Sequence, residues 1–107
     1  MGYMRHNCIV VTGRDWNDAV GDAHKKAGAL FGSLVSPIIL STINGYMSFY
    51  VAPDGSKEGW AESDSGDECR SELIKYLRDT PLDWAEVQYG DDNNITKVIQ
   101  HSDEATP

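Results

Sequence analysis

The stretch SPIILSTINGYMSFYVAP, residues 36–53, decides the fold. It holds two β-rich runs separated by Asn44-Gly45, the pair that best tolerates the positive φ angles of a tight hairpin turn. Pro37 stands near the start of the first run and has no N–H to donate to a ladder, which sends that strand to a sheet edge. Alternation in the second run puts Tyr46, Ser48 and Tyr50 on one side and Met47, Phe49 and Val51 on the other. The more apolar set is expected to face the core, leaving Tyr46 and Tyr50 outward.

Upstream, NCIVVTG (residues 7–13) is a β-branched run closed by glycine and reads as a buried strand. Asp15 is expected to cap a helix in which Trp16, Ala19, Val20, Ala23, Ala27, Leu30 and Phe31 recur at helical spacing. Downstream, Ser63, Asp64 or Ser65 can cap a second helix, and Ser65 with Glu68 has capping-box spacing. Its apolar stripe is Cys69, Leu73, Ile74 and Leu77, and Thr80-Pro81 stops it. DWAEVQYG and ITKVIQH then alternate like strands around the turn residues DDNN. In the first of these, Ala85, Val87 and Tyr89 are expected inward and Trp84, Glu86 and Gln88 outward.

The resulting order, β-α-β-β-α-β with one added C-terminal strand, describes a ferredoxin-like split β-α-β sandwich of the α+β class: an antiparallel sheet with two helices on one face. Right-handed crossovers give the strand order 5-4-1-3-2, with the Pro37 strand at an edge. A chain of 107 residues makes one domain, residues 1–107, with 1–6 and 102–107 as loose termini.

The formal charge of −8 disfavours non-specific binding to nucleic acid or an anionic membrane, since both need a basic surface. It suits a basic partner. The longest apolar run, LVSPIIL, is too short to span a bilayer, and Cys8 and Cys69 lack metal-site or disulfide-framework spacing, so a reducing cytoplasm is the default setting.

In this topology the third and fourth strands finish at the same end of the sheet, so the loop after the hairpin and the turn before the last strand become neighbours. Asp54, Glu58, Glu62, Asp64, Asp91 and Asp92 converge there, joined by Asp67 and Glu68, with Lys57 as the main local cation. A row of carboxylates can replace phosphates electrostatically, which makes these residues the candidate docking surface for a basic protein. The alternating oxygen ligands and terminal glutamate of a calcium-binding EF-hand loop are missing, so neither metal nor cofactor is expected.

A small-ligand-binding or metal-binding domain is the second reading. Single-stranded nucleic-acid binding through an open sheet face bearing Tyr46, Tyr50 and Trp84 is the third, and the same aromatics could serve a homodimer or protein interface. No catalytic residue is assigned and the chain is not read as an enzyme. His6, His24 and His101 are scattered, His24 reads as a surface residue, and Cys8 beside His6 is more simply a small buried side chain. No phosphate-binding glycine motif occurs, and Trp60 is expected to anchor its loop against the helices.

The segments NGYMSFYVAPDGSKEGWAESDSGDECRSELIKYL and WAEVQYGDD resemble small uncharacterised proteins encoded by tailed bacteriophages and prophages. The resemblance spans roughly residues 7–103 and carries no catalytic residues with it. It implies an accessory protein of the host-cell cytoplasm that acts by binding a host or defence protein.

Overall fold

The computed structural model describes residues 4–14, 18–57, 59–90 and 96–102. The elements are β1 (His6–Arg14), α1 (Ala19–Phe31), β2 (Ile39–Leu40), β3 (Tyr46–Val51), α2 (Ala61–Leu77), β4 (Asp83–Tyr89) and β5 (Lys97–His101), with a 3₁₀ turn over Gly32–Leu34. The five strands form one open antiparallel sheet in the order β2-β3-β1-β4-β5. This is an α+β architecture.

The edge behaves as its proline requires. Val35 bridges Val51, the ladder breaks around Pro37, and pairing resumes only for the two residues of β2. The Ser36 hydroxyl bridges the break by accepting the Tyr50 N–H at 2.9 Å. Asn44 and Gly45 both have positive φ, 64° and 66°, within a loop closed by the Ser41 N–H donating to the Tyr46 carbonyl.

Both helices pack on one face of the sheet. Ile9 and Val11 of β1, Phe49 and Val51 of β3 and Trp84 of β4 meet Val20, Ala23 and Ala27 of α1 and Leu73, Ile74 and Leu77 of α2. Each large side chain buried there is worth about 1.5–3 kcal/mol relative to exposure. Gly13 belongs to the same layer: a Cβ at this position would come 2.4 Å from Leu82 Cδ2, so glycine lets the end of β1 approach the β4 entry. Lys26 and Glu72, 3.7 Å apart, tie the two helices at the surface.

Several expectations are corrected. α2 starts at Ala61 after Trp60, earlier than its serine caps suggested, and Ser63 is buried within it. Trp60 is 47% exposed and does not anchor the loop. His24 is half-buried rather than a surface residue: its ring meets Phe49 edge-on at 5.2 Å, and Nε2 lies 2.9 Å from the Ser36 carbonyl. α1 begins at Ala19 after Asp18 in a left-handed conformation, while Asp15 and Trp16 lie outside the described residues. At the start of the chain, β1 opens at His6 and Met4 bridges Lys57, so the stretch expected to be loose is paired from Met4 onward.

The largest correction concerns β4. Residues directly opposite in an antiparallel pair point to the same face. Val11 faces Trp84 and Ile9 faces Glu86, so Trp84 and Glu86 lie on the helix-covered side and Ala85, Val87 and Tyr89 on the open side. Trp84 is 5% exposed and leaves the proposed sheet-face interface. Burying its indole outweighs burying Ala85 and Val87, and Glu86 is carried inward by the same two-residue period.

Candidate functional site

Five carboxylates of the expected acidic surface fall within the described residues, Asp54, Glu62, Asp64, Asp67 and Glu68, at the end of the sheet where β3 exits and along the start of α2. Asp54 follows β3, and Glu62 and Asp64 sit in the first turn of α2, where the positive end of the helix favours negative charge. Asp54 and Glu62 line one cavity of about 260 Å³ together with Gly66 and Arg70. Asp64 is exposed outside that cavity, next along the helix from the equally exposed Asp67 and Glu68. Glu58, Asp91 and Asp92 lie outside the described residues.

Asp54 is partly committed within the chain. It accepts the Ser56 N–H at 2.9 Å and the Ser56 hydroxyl at 2.6 Å. Desolvation pushes its carboxyl up, but the Ser56 hydrogen bonds and the Arg70 charge outweigh that and hold it below its ordinary pKa. It is therefore ionised at neutral pH.

Arg70 had no role in the sequence reading. Its side chain is only 12% exposed, pairs with Asp67 on the preceding turn of α2, and lies 3.6 Å from Glu86 through Nε. Gly66 leaves room for it, because a Cβ there would meet Arg70 Nη1 at 3.2 Å and Asp54 Oδ2 at 3.3 Å. The spacing Asp67-x-x-Arg70 was the available signal for the first contact. No local signal pointed to the second, which joins residues from a helix and a distant strand.

Glu86 is buried and well supplied with donors. Asn7 Nδ2 donates to Oε2 at 3.0 Å and Gln100 Nε2 to Oε1 at 2.9 Å, while Arg78 donates to Gln100 Oε1 at 2.7 Å. A cavity of about 390 Å³ opens beside this network, lined by Arg70, Lys75, Arg78, Asp67, Glu86 and Gln100. Arg70 is thus shared between Asp67 at the acidic rim and Glu86 inside the fold, and its charge also helps to hold Asp54 ionised.

On the open sheet face the structure places Tyr46 and Tyr50 as expected, both half-buried. Thr12 Oγ1 and Ser48 Oγ are 2.8 Å apart, and the Tyr50 and Tyr89 hydroxyls 3.2 Å apart. Cys8 lies beneath this pair, 6% exposed. Burial pushes its thiol above the ordinary value, which leaves little thiolate at neutral pH and makes it a poor nucleophile. His6 shares the face but stacks on Tyr89, with ring centroids 5.6 Å apart, and its buried Nδ1 has no hydrogen-bond partner.

Among the described residues no group of three or more His, Cys, Asp or Glu side chains could hold a metal ion, and no helix is long and apolar enough to cross a membrane. No protein-family model, curated protein or solved structure matches the chain.

Proposed function

We propose that this chain is a small, cytoplasmic, non-enzymatic accessory protein of the bacteriophage type, which binds a basic surface on a host or defence protein through its acidic end. One observation carries the reading. The first turns of α2 expose Glu62, Asp64 and Glu68, while the arginine on the same helix, Arg70, is mostly buried and held between Asp67 and Glu86. Carboxylates left uncompensated at a surface raise association rates with a basic partner and penalise acidic ones. The strand order β2-β3-β1-β4-β5 with both helices on one face supports reading the scaffold as ferredoxin-like with an added strand.

The test compares wild type with the neutralised variant Glu62→Gln/Asp64→Asn/Glu68→Gln in pull-downs from bacterial lysate, with bound proteins identified by mass spectrometry. Neutralisation is chosen over charge reversal because lysines in the first turn would oppose the helix dipole, at about 0.3–1 kcal/mol each. A partner retained by wild type in low salt and lost by the variant supports the reading. Equal capture by both proteins removes the acidic end as the contact.

A small-ligand role is the second reading, favoured by the cavity beside Arg70, Lys75 and Arg78. Its groups already satisfy one another in part, through Arg78 to Gln100 and Gln100 to Glu86, which leaves a ligand less to gain.

A further inference from the structure

We propose that Asn44 is a self-modifying site, whose side-chain amide is lost to attack by the Gly45 backbone nitrogen, leaving aspartate or isoaspartate at the hairpin tip.

Such a reaction needs an asparagine amide that nothing holds and a following nitrogen that is neither hydrogen-bonded nor crowded. The tip supplies both. Asn44 and Gly45 are exposed, and among the described residues neither the Asn44 amide nor the Gly45 N–H has a hydrogen-bond partner. Glycine presents its nitrogen with no side chain beside it, and the space around the Gly45 Cα is open. Asn44-Gly45 is also the one Asn-Gly pair in the sequence. Asn7 shows the contrast. It lies in the β1 ladder opposite Gln88, its Nδ2 donates to Glu86 at 3.0 Å, and its Oδ1 accepts from Gln88 Nε2 at 3.4 Å.

The backbone must also be able to move. A left-handed residue such as Asn44, with φ 64°, has ψ near about +47°, which turns the next nitrogen away from Cγ. Ring closure therefore proceeds from an opened tip. Opening is easy here, because β2 pairs with β3 only through Ile39 with Ser48 and Leu40 with Met47. Beyond these pairs, the described hydrogen bonds that close the tip all involve Ser41. Its N–H donates to the Tyr46 carbonyl at 2.9 Å, and its Oγ accepts the Tyr46 N–H at 3.0 Å and donates to the Ile43 carbonyl.

In the opened tip the Gly45 nitrogen gives its proton to solvent and bonds to Asn44 Cγ; the Cγ–Nδ2 bond breaks and ammonia leaves. Water then opens the resulting five-membered imide. Hydrolysis at the side-chain carbonyl restores a normal main chain with aspartate, and hydrolysis at the main-chain carbonyl routes the backbone through the side-chain carbon as isoaspartate. Either product adds a negative charge, and isoaspartate lengthens a turn on which a two-residue strand depends. The tip stands at the start of β3, the opposite end of that strand from Asp54, so the reaction is independent of docking through the acidic end.

Peptide mapping by mass spectrometry tests the proposal, on the full chain incubated in mildly alkaline buffer, folded and, in parallel, unfolded in urea. Folded wild type should accumulate aspartate and isoaspartate at residue 44 while Asn7 stays intact. Its rate should lie within about a hundredfold of the unfolded chain's, whereas a route through global unfolding would be slower by at least about a thousandfold. Ser41→Ala removes the hydroxyl that closes the tip and should speed the folded reaction about fivefold, with the unfolded rate unchanged. Gly45→Ala should slow the unfolded reaction about tenfold, through crowding at the nitrogen. Circular dichroism confirms the fold of Ser41→Ala, and if that variant does not fold, the ratio of the two wild-type rates decides. An Asn44 that keeps its amide in the folded protein while the unfolded chain converts, or a folded Ser41→Ala no faster than wild type, overturns the proposal.

Discussion

The two faces of β4 hold opposite inventories from those that residue polarity suggests. The helix-covered side takes Trp84 and the charged Glu86, while the open side takes Ala85, Val87 and Tyr89. Position in the sheet decided this, because all alternate residues move together and the largest apolar side chain governs the choice. Glu86 tolerates burial because Asn7, Gln100 and Arg70 meet its two oxygens. A charge on the buried face is thus internal chemistry, whereas apolar groups on the open face are available to a partner.

The comparison breaks most visibly at its tryptophan. Trp84→Ala should cost about 4 kcal/mol in urea unfolding, through lost burial and the cavity left behind, whereas Tyr46→Ala on the open face should cost less than about 1 kcal/mol. Comparable losses at the two positions would return Trp84 to the open side.

Glu86→Ala comes next, at about 3 kcal/mol, since it leaves the mostly buried Arg70 with Asp67 in place of two acidic partners and removes the acceptor of the Asn7 and Gln100 donors. Arg70→Met/Glu86→Leu should recover most of that loss, because removing both charges also removes their desolvation cost. A double variant no more stable than Glu86→Ala would mean that the network contributes more than mutual neutralisation.

The smallest effect lies on the open face and is read by pH. Burial raises the Cys8 thiol above its ordinary 9.0, and the hydrogen bond with Tyr89 raises the Tyr50 hydroxyl above its ordinary 10.0. Both groups are held neutral, so their contribution is complete below the unfolded values and lost as pH rises through the folded ones. Thermal midpoints should therefore begin to fall above pH 9.0, and in Cys8→Ala the fall should begin nearer 10.0. An unchanged onset in Cys8→Ala would remove the thiol from the account.

Much of the scaffold was legible because its signals are local. Asn44-Gly45 carries its own φ preference, Pro37 its missing N–H, and the stripes Val20-Ala23-Ala27 and Leu73-Ile74-Leu77 their helical period. The outward position of Tyr46 and Tyr50 followed from the same strand alternation. The start of α2 was misplaced because serines and aspartates that resemble caps also occur inside a helix when tertiary packing supplies the turn, as at Ser63.

Chain composition and periodicity determined the acidic charge, the two helices and the exposed carboxylates at Glu62 and Asp64. Tertiary structure alone decided the facing of β4 and the contact of Arg70 with Glu86. Each of these joins residues far apart in sequence, from Asn7 to Gln100, and such contacts depend on strand register and helix placement rather than on any neighbouring residue.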